Sequence, residues 1–174
     1  MNSVLEEIYE RYHSDLFHFL MYMVKNREQA EDLTQEVYIR VLKSYRHFEG
    51  KSTEKTWLIA IAKNVAIDFF RKEKGWKGKI QEAFDWDHDQ IKDDINKIPE
   101  EIALQNEEIR MLYHSLDYCT LDQKMVIVMR YLNEMSIRET AEVLKWSESK
   151  VKTTQHRGIK TLQKAMNEIK KRGE

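Results

Sequence analysis

A chain of 174 residues can hold one ordinary domain or two small ones. Its 41% hydrophobic residues suffice for a core, and 34% charged residues with one proline and five glycines point to long helices. No apolar run has membrane-spanning length, the charged amphipathic start MNSVLEEIYERYH does not read as a signal peptide, and Cys119 alone cannot form an internal disulfide; these features predict a cytoplasmic protein.

From Val4 to Val24 the residues Leu5, Ile8, Tyr12, Leu16, Phe19, Leu20 and Met23 recur at helical spacing. His13 and His18 lie five positions apart and do not share a face as a metal pair would, and no other cluster has ligand spacing, so no metal site is expected. Lys25, Asn26 and Arg27 break the pattern. A second helix, Gln29 to Tyr45, carries Ala30, Leu33, Val37, Tyr38 and Val41 on one side and Asp32, Glu36, Ile39, Arg40 and Lys43 on the other. That mixed outer face, with an aliphatic among charges, suits either solvent or a docked protein.

Arg46 to Lys55 reads as a loop in which Gly50 is free to take positive φ. A third helix follows, with Trp57, Leu58, Ile61, Ala62, Val65, Ala66 and Phe69 as its apolar stripe and Lys63, Asn64, Asp68, Arg71, Lys72 and Lys74 mainly off it. Tyr45, Phe48 and Trp57 flank the basic loop. Such aromatics either stack on unpaired bases or close the loop by packing on one another.

Composition then changes. Between Gln81 and Glu101 eight acids face Lys92 and Lys97, and Pro99 stops whatever precedes it. The stretch reads as a flexible acidic linker whose charge is suited to shield a basic partner helix within the chain. Three of its carboxylates, Asp85, Asp87 and Asp89, are the only crowding that an enzyme reading could use, and they have no partnering histidine site.

A second helical unit begins near Ile102. Ile102, Leu104, Ile109, Leu112, Tyr113 and Leu116 suggest one helix; Thr120 caps another with Met125, Val126, Val128, Met129 and Leu132 as its apolar set. A short helix from Ser136 to Leu144 carries Ile137, Ala141, Val143 and Leu144. A tight turn at Lys145 and Trp146 follows, and Ser147 stands as N-cap of a final helix. In that helix Val151, Gly158 and Leu162 fall on one stripe. Ser149, Lys152, Thr153, His156 and Lys160 fall opposite, with Lys150 and Arg157 on a flank. From Lys145 onward nine cations meet three acids, in a chain of net charge −1. A basic helix is often merely solvated, but the preceding short helix, the turn and the charge asymmetry make a helix-turn-helix aimed at a DNA major groove.

Taken together, these segments resemble a bacterial sigma factor of the extracytoplasmic-function (ECF) group of the sigma-70 family, and within it the sigma-X type of bacilli. AEDLTQEVYIRVLKSY (Ala30 to Tyr45) is similar to region 2.2, and TWLIAIAKNVAIDFFRK (Thr56 to Lys72) to regions 2.3 and 2.4. LDQKMVIVMRYLNEMSIRETAEVLKWSESKVKTTQHRGIKTLQ is similar to region 4. The resemblance implies an all-α protein: a region 2-like domain over residues 1–75, a linker over 76–101 and a region 4-like domain over 102–174. It implies that Asp32, Gln35, Glu36, Ile39 and Arg40 dock core RNA polymerase. Phe48, Lys51, Ser52, Asn64, Asp68 and Arg71 would meet the −10 element, and Ser149, Lys150, Lys152, Thr153, His156, Arg157 and Lys160 the −35 element. Promoter DNA and a membrane-anchored anti-sigma factor complete the implied partners, with no catalysis, cofactor, metal or small-molecule substrate. The competing reading is a stand-alone helix-turn-helix repressor or activator, which would bind operator DNA unaided. Two departures from the family pattern bear on local structure: Lys145 stands where a turn glycine is frequent, and Gly158, in place of alanine, should cost about 1 kcal/mol of helix propensity.

Overall fold

The computed structural model describes residues 2–77 and 99–173. The acidic linker and its carboxylates Asp85, Asp87 and Asp89 fall almost wholly outside the described residues, and with them the idea of shielding. The described residues are all-α, in two helical units.

The first unit is three mutually packed helices, α1 (Asn2–Val24), α2 (Arg27–Ser44) and α3 (Glu54–Lys77). The break between α1 and α2 follows from two residues. Lys25 turns the chain with φ 56°, and the Asn26 side chain then accepts from Gln29 N at 2.9 Å, capping α2 two residues earlier than periodicity suggests. Ile8, Leu16, Phe19, Leu20, Ala30, Val37, Val41, Leu58, Ala62 and Val65 form the core in the registers expected. A single turn of 3₁₀-helix (Tyr45–His47) leads into the loop, where Gly50 adopts φ 71°.

The second unit starts with α4 (Glu100–Ala103) and α5 (Glu107–Ser115). The single helix expected over Ile102 to Leu116 is therefore divided. The Asn106 side chain takes Ile109 N at 2.9 Å and starts a new helix, which leaves Leu104 in the open connection. A 3₁₀ turn (Leu116–Tyr118) precedes α6 (Leu121–Ile127), which begins in a reciprocal capping box between Thr120 and Gln123. α6 runs on into a π-helical turn, Val128–Leu132, whose i→i−5 bond joins Asn133 N to Val128 O at 3.0 Å. The helix-turn-helix is α7 (Ile137–Leu144) and α8 (Glu148–Gly173). α8 packs on α5, α6 and α7.

The two units share one continuous core, because α3 packs on α7 and α1 on the π turn. Polar groups line this seam. Lys55 Nζ donates to the Asn133 carbonyl at 2.5 Å, Asn133 Nδ2 to the Asp15 carbonyl at 3.0 Å, and Thr56 Oγ1 to Glu139 Oε2 at 3.3 Å. Lys25 pairs with Asp117 at 2.7 Å. Two expectations change here. Lys63, read as lying mainly off the apolar stripe, is only 8% exposed, and burial, with Lys145 nearby, lowers its pKa. Met21 and Tyr22 are buried although they lie off the α1 stripe, because α1 has neighbours on both sides; Tyr22 meets Tyr113 edge-on at 5.7 Å.

Candidate nucleic-acid interface and docking face

The final helix is positioned by local chemistry. α7 opens in a capping box between Ser136 and Glu139 and ends on Lys145, which takes φ 57°. Trp146 N reaches back to the Ala141 carbonyl at 3.1 Å and closes the turn. Ser147 Oγ then accepts from Lys150 N at 3.1 Å and starts α8. Val151, Gly158, Leu162 and Ala165 are buried. Gly158 has a reason to be glycine: a Cβ there would stand 3.2 Å from Ile127 Cγ1 and 3.4 Å from Gln123 Cβ, so the missing methyl lets α8 approach α6. The expected helix-propensity cost is accompanied by a packing role.

Ser149, Lys152, Thr153, His156 and Lys160 opposite this stripe, and Lys150 and Arg157 on its flank, are all exposed. They leave a row of cations and short polar donors free along the first four turns of α8, the arrangement a groove-reading helix requires. Arg130 braces the helix from behind, through Nε to Gln155 Oε1 at 2.8 Å and a second bond to the Met135 carbonyl. Lys150 Nζ lies 4.1 Å from the centre of the Trp146 ring.

In the first unit, Asp32, Gln35 and Ile39 are exposed on the outer face of α2, with Ile39 at 46%. Glu36 and Arg40 are half-buried, and Arg40 joins two of the expected sites: its Nε donates to Glu36 at 3.1 Å and a terminal nitrogen to Asp68 on α3 at 3.0 Å. Burial works against the Arg40 charge, but these hydrogen bonds outweigh it and raise its pKa. Asn64 and Arg71 are exposed and share a helical stripe with Trp57 and Asp68. Phe48 is half-buried, its ring 4.9 Å from Trp57, and Tyr45 lies 6.0 Å from Trp57 and 6.3 Å from Phe48. The three aromatics pack on one another and close the loop. Lys51 is exposed and paired with Glu49 at 2.7 Å; Ser52 is half-buried.

Sequence reasoning missed the seam residues Lys55, Thr56, Lys124, Asn133 and Glu139, which carry no periodic signal. His13, weighed there only as a metal ligand, instead hydrogen-bonds Tyr38 across α1 and α2 at 2.8 Å.

Two helical units, the second exposing a basic helix-turn-helix, define a DNA-binding protein built in two parts. The sigma-70 region 2 model matches residues 8–75 and the sigma-70 region 4 model residues 111–162. The chain is 53% identical over 166 residues to the ECF RNA polymerase sigma factor SigX of Bacillus subtilis, covering 95% of this chain and 85% of that protein. It is 28% identical over 167 residues to the RNA polymerase sigma factor YlaC of the same organism, covering 93% and 91%. Among solved structures, the sigma factor RpoE of Bartonella quintana, crystallised with the anti-sigma factor NepR, aligns with TM-score 0.73 at 18% identity over 96% of this chain and 98% of that one. CnrH, solved with the cytosolic domain of CnrY, gives 0.70 at 16% identity over 96% and 90%. These two likenesses concern the fold. The chain belongs to the ECF RNA polymerase sigma factors. It is accordingly a promoter-directing factor of transcription initiation, and the stand-alone repressor reading is set aside.

Proposed function

We propose a division of labour along the chain: residues 1–75 dock core RNA polymerase and take the −10 element, 76–101 link, and 102–174 take the −35 element. In this reading Asp32, Gln35, Glu36, Ile39 and Arg40 form the polymerase-docking face. Phe48, Lys51, Ser52, Asn64, Asp68 and Arg71 serve the −10 strand, and Ser149, Lys150, Lys152, Thr153, His156, Arg157 and Lys160 serve the −35 duplex. The observation that carries it is the exposed row on α8, five polar or cationic residues opposite a buried stripe and two more on its flank. A duplex element needs a helix that fits the major groove, whereas a melted strand needs a loop and a stacking surface. The aromatic cluster under the loop supports the second role by stiffening the loop that would hold an extruded base. Neither small unit has the contact area for tight promoter binding alone, and tethering both to polymerase raises their effective concentration on DNA.

The protein performs no catalysis, carries no cofactor or metal and acts in the cytoplasm. Among the described residues no helix is long and apolar enough to cross a membrane. One structural relative was solved with an anti-sigma factor and another with the cytosolic domain of its partner CnrY, which supports a membrane-anchored anti-sigma partner for this chain. The test is co-elution of the purified protein with core polymerase and transcription from fragmented genomic DNA. Core binding with new discrete start sites is the expected result. A protein that ignores core enzyme and shifts a DNA fragment alone would refute the assignment.

A further inference from the structure

Trp146 lies outside the set of DNA-facing residues, yet the structure fixes it beneath one of them. Its amide is tied to the Ala141 carbonyl, the preceding Lys145 turns the chain with positive φ, and its ring packs half-buried at the margin of the core. Lys150 begins from a fixed point as well, since its main-chain N–H is held by Ser147 in the first turn of α8. Its ammonium ends 4.1 Å above the Trp146 ring. A lysine in free solution loses its rotamer freedom only when it grips a ligand; one already laid along an indole has lost much of it beforehand. The ring occupies one side of the ammonium, and three N–H donors leave the others for a second partner.

Lys150 does not sit at the centre of the exposed row. It lies on the same flank as Arg157, two turns along the helix. A flank of a groove-reading helix faces the phosphate wall rather than base edges, and phosphate contacts set the register in which the central residues meet the bases. From this placement, and resting on the reading of α8 as the −35 helix, we infer that Trp146 is a positioning residue for promoter binding. It holds Lys150 as a clamp on one DNA phosphate beside the major groove and so fixes the register of Ser149, Thr153 and His156.

The test uses holoenzyme assembled from core polymerase and the full chain, with fluorescence anisotropy on promoter duplexes of several −35 sequences across a salt series. Lys150→Ala should weaken binding uniformly over those sequences and flatten the slope of log affinity against log salt by about 0.9, one phosphate contact. Trp146→Ala should weaken binding uniformly by roughly two- to fivefold, with the slope kept, because Lys150 still finds its phosphate from a looser ensemble. Trp146→Phe, which keeps a ring and the fold, should restore most of that loss, and Trp146→Ala added to Lys150→Ala should cost nothing more. An equal Trp146→Ala loss with and without Lys150 would overturn the positioning role. A loss confined to one base pair would overturn the phosphate assignment. If Lys150→Ala/Arg157→Ala/Lys160→Ala leaves −35 dependence intact, it is the reading of α8 itself that fails.

Discussion

Arg40 on α2 and Asp68 on α3 are joined by a hydrogen-bonded ion pair of 3.0 Å, and the same guanidinium holds Glu36 at 3.1 Å. Residues assigned to polymerase docking and to the −10 strand are thus one electrostatic unit. All three side chains are more than a third exposed, so solvent screens the network and its stabilisation is at most about 1 kcal/mol. Its consequence is orientation. Asp68→Asn should loosen Arg40 and weaken core-polymerase binding a few-fold even though Asp68 lies off the docking face, while Asp32→Ala/Glu36→Ala weakens it directly. Titration of core enzyme against each labelled variant gives the answer; an Asp68→Asn protein with unchanged core affinity would show the two sites to be independent.

Gly158 faces Ile127 closely enough that a methyl group must displace it by a few tenths of an ångström. Alanine gains about 1 kcal/mol of helix propensity and loses a comparable amount in crowding, so Gly158→Ala should change unfolding free energy by less than about 1 kcal/mol. Gly158→Val has no such offset and should destabilise by about 1–3 kcal/mol. Cutting the neighbour back, Ile127→Ala, removes both contacting atoms and should make Gly158→Ala favourable. Urea unfolding of the wild type, the three single variants and the double variant at 127 and 158 decides it, and no coupling between the two positions would refute the close crossing.

Lys145 adopts a left-handed conformation that costs a non-glycine residue about 1–2 kcal/mol. Lys145→Gly should therefore raise the stability of the helix-turn-helix by about 1 kcal/mol, partly offset by the freer unfolded chain. A lower melting temperature would mean that the lysine side chain contributes more than its backbone strain removes.

Lys124 is 8% exposed in the seam, its ammonium 3.4 Å from the Met23 carbonyl, and burial lowers its pKa from 10.5 to about 8. Below pH 8 it is charged whether folded or unfolded, and its burial is then a full destabilising contribution. Between pH 8 and 10.5 the unfolded chain binds the extra proton, so that contribution fades as pH rises. Lys124→Met should be most favourable at neutral pH, by on the order of 3 kcal/mol at most, and its advantage should shrink toward pH 10. Parallel denaturation curves at pH 7, 8.5 and 10 measure the trend; a constant difference would mean that Lys124 stays hydrated.

The sequence disclosed what is encoded locally. Ser136, Ser147 and Thr120 announce their helices because a cap acts within three residues, and the α8 stripe follows from spacing alone. Asn106 is equally local, but the apolar pattern continues across it, so the spacing predicts one helix where the chain forms two. The π turn at Val128–Leu132 left no periodic trace. The seam was illegible for a different reason: Lys55 and Asn133 are 78 positions apart, and nothing in either segment names the other. Of the candidate site, the exposed row on α8 could be read from spacing, whereas the tie between Arg40 and Asp68 could not.

In the seam, three of the hydrogen bonds end on main-chain carbonyls, those of Met23, Asp15 and Asn133. A carbonyl survives every substitution at its own position. Mutational sensitivity in this contact is therefore one-sided: changing the side chain at position 15 or 23 leaves the acceptor in place, and the donors Lys55, Lys124 and Asn133 alone can be deleted. Mutagenesis scored for the union of the two halves should therefore find these hydrogen bonds broken by changes at Lys55 and Asn133, whereas a change at position 15 leaves its carbonyl acceptor in place.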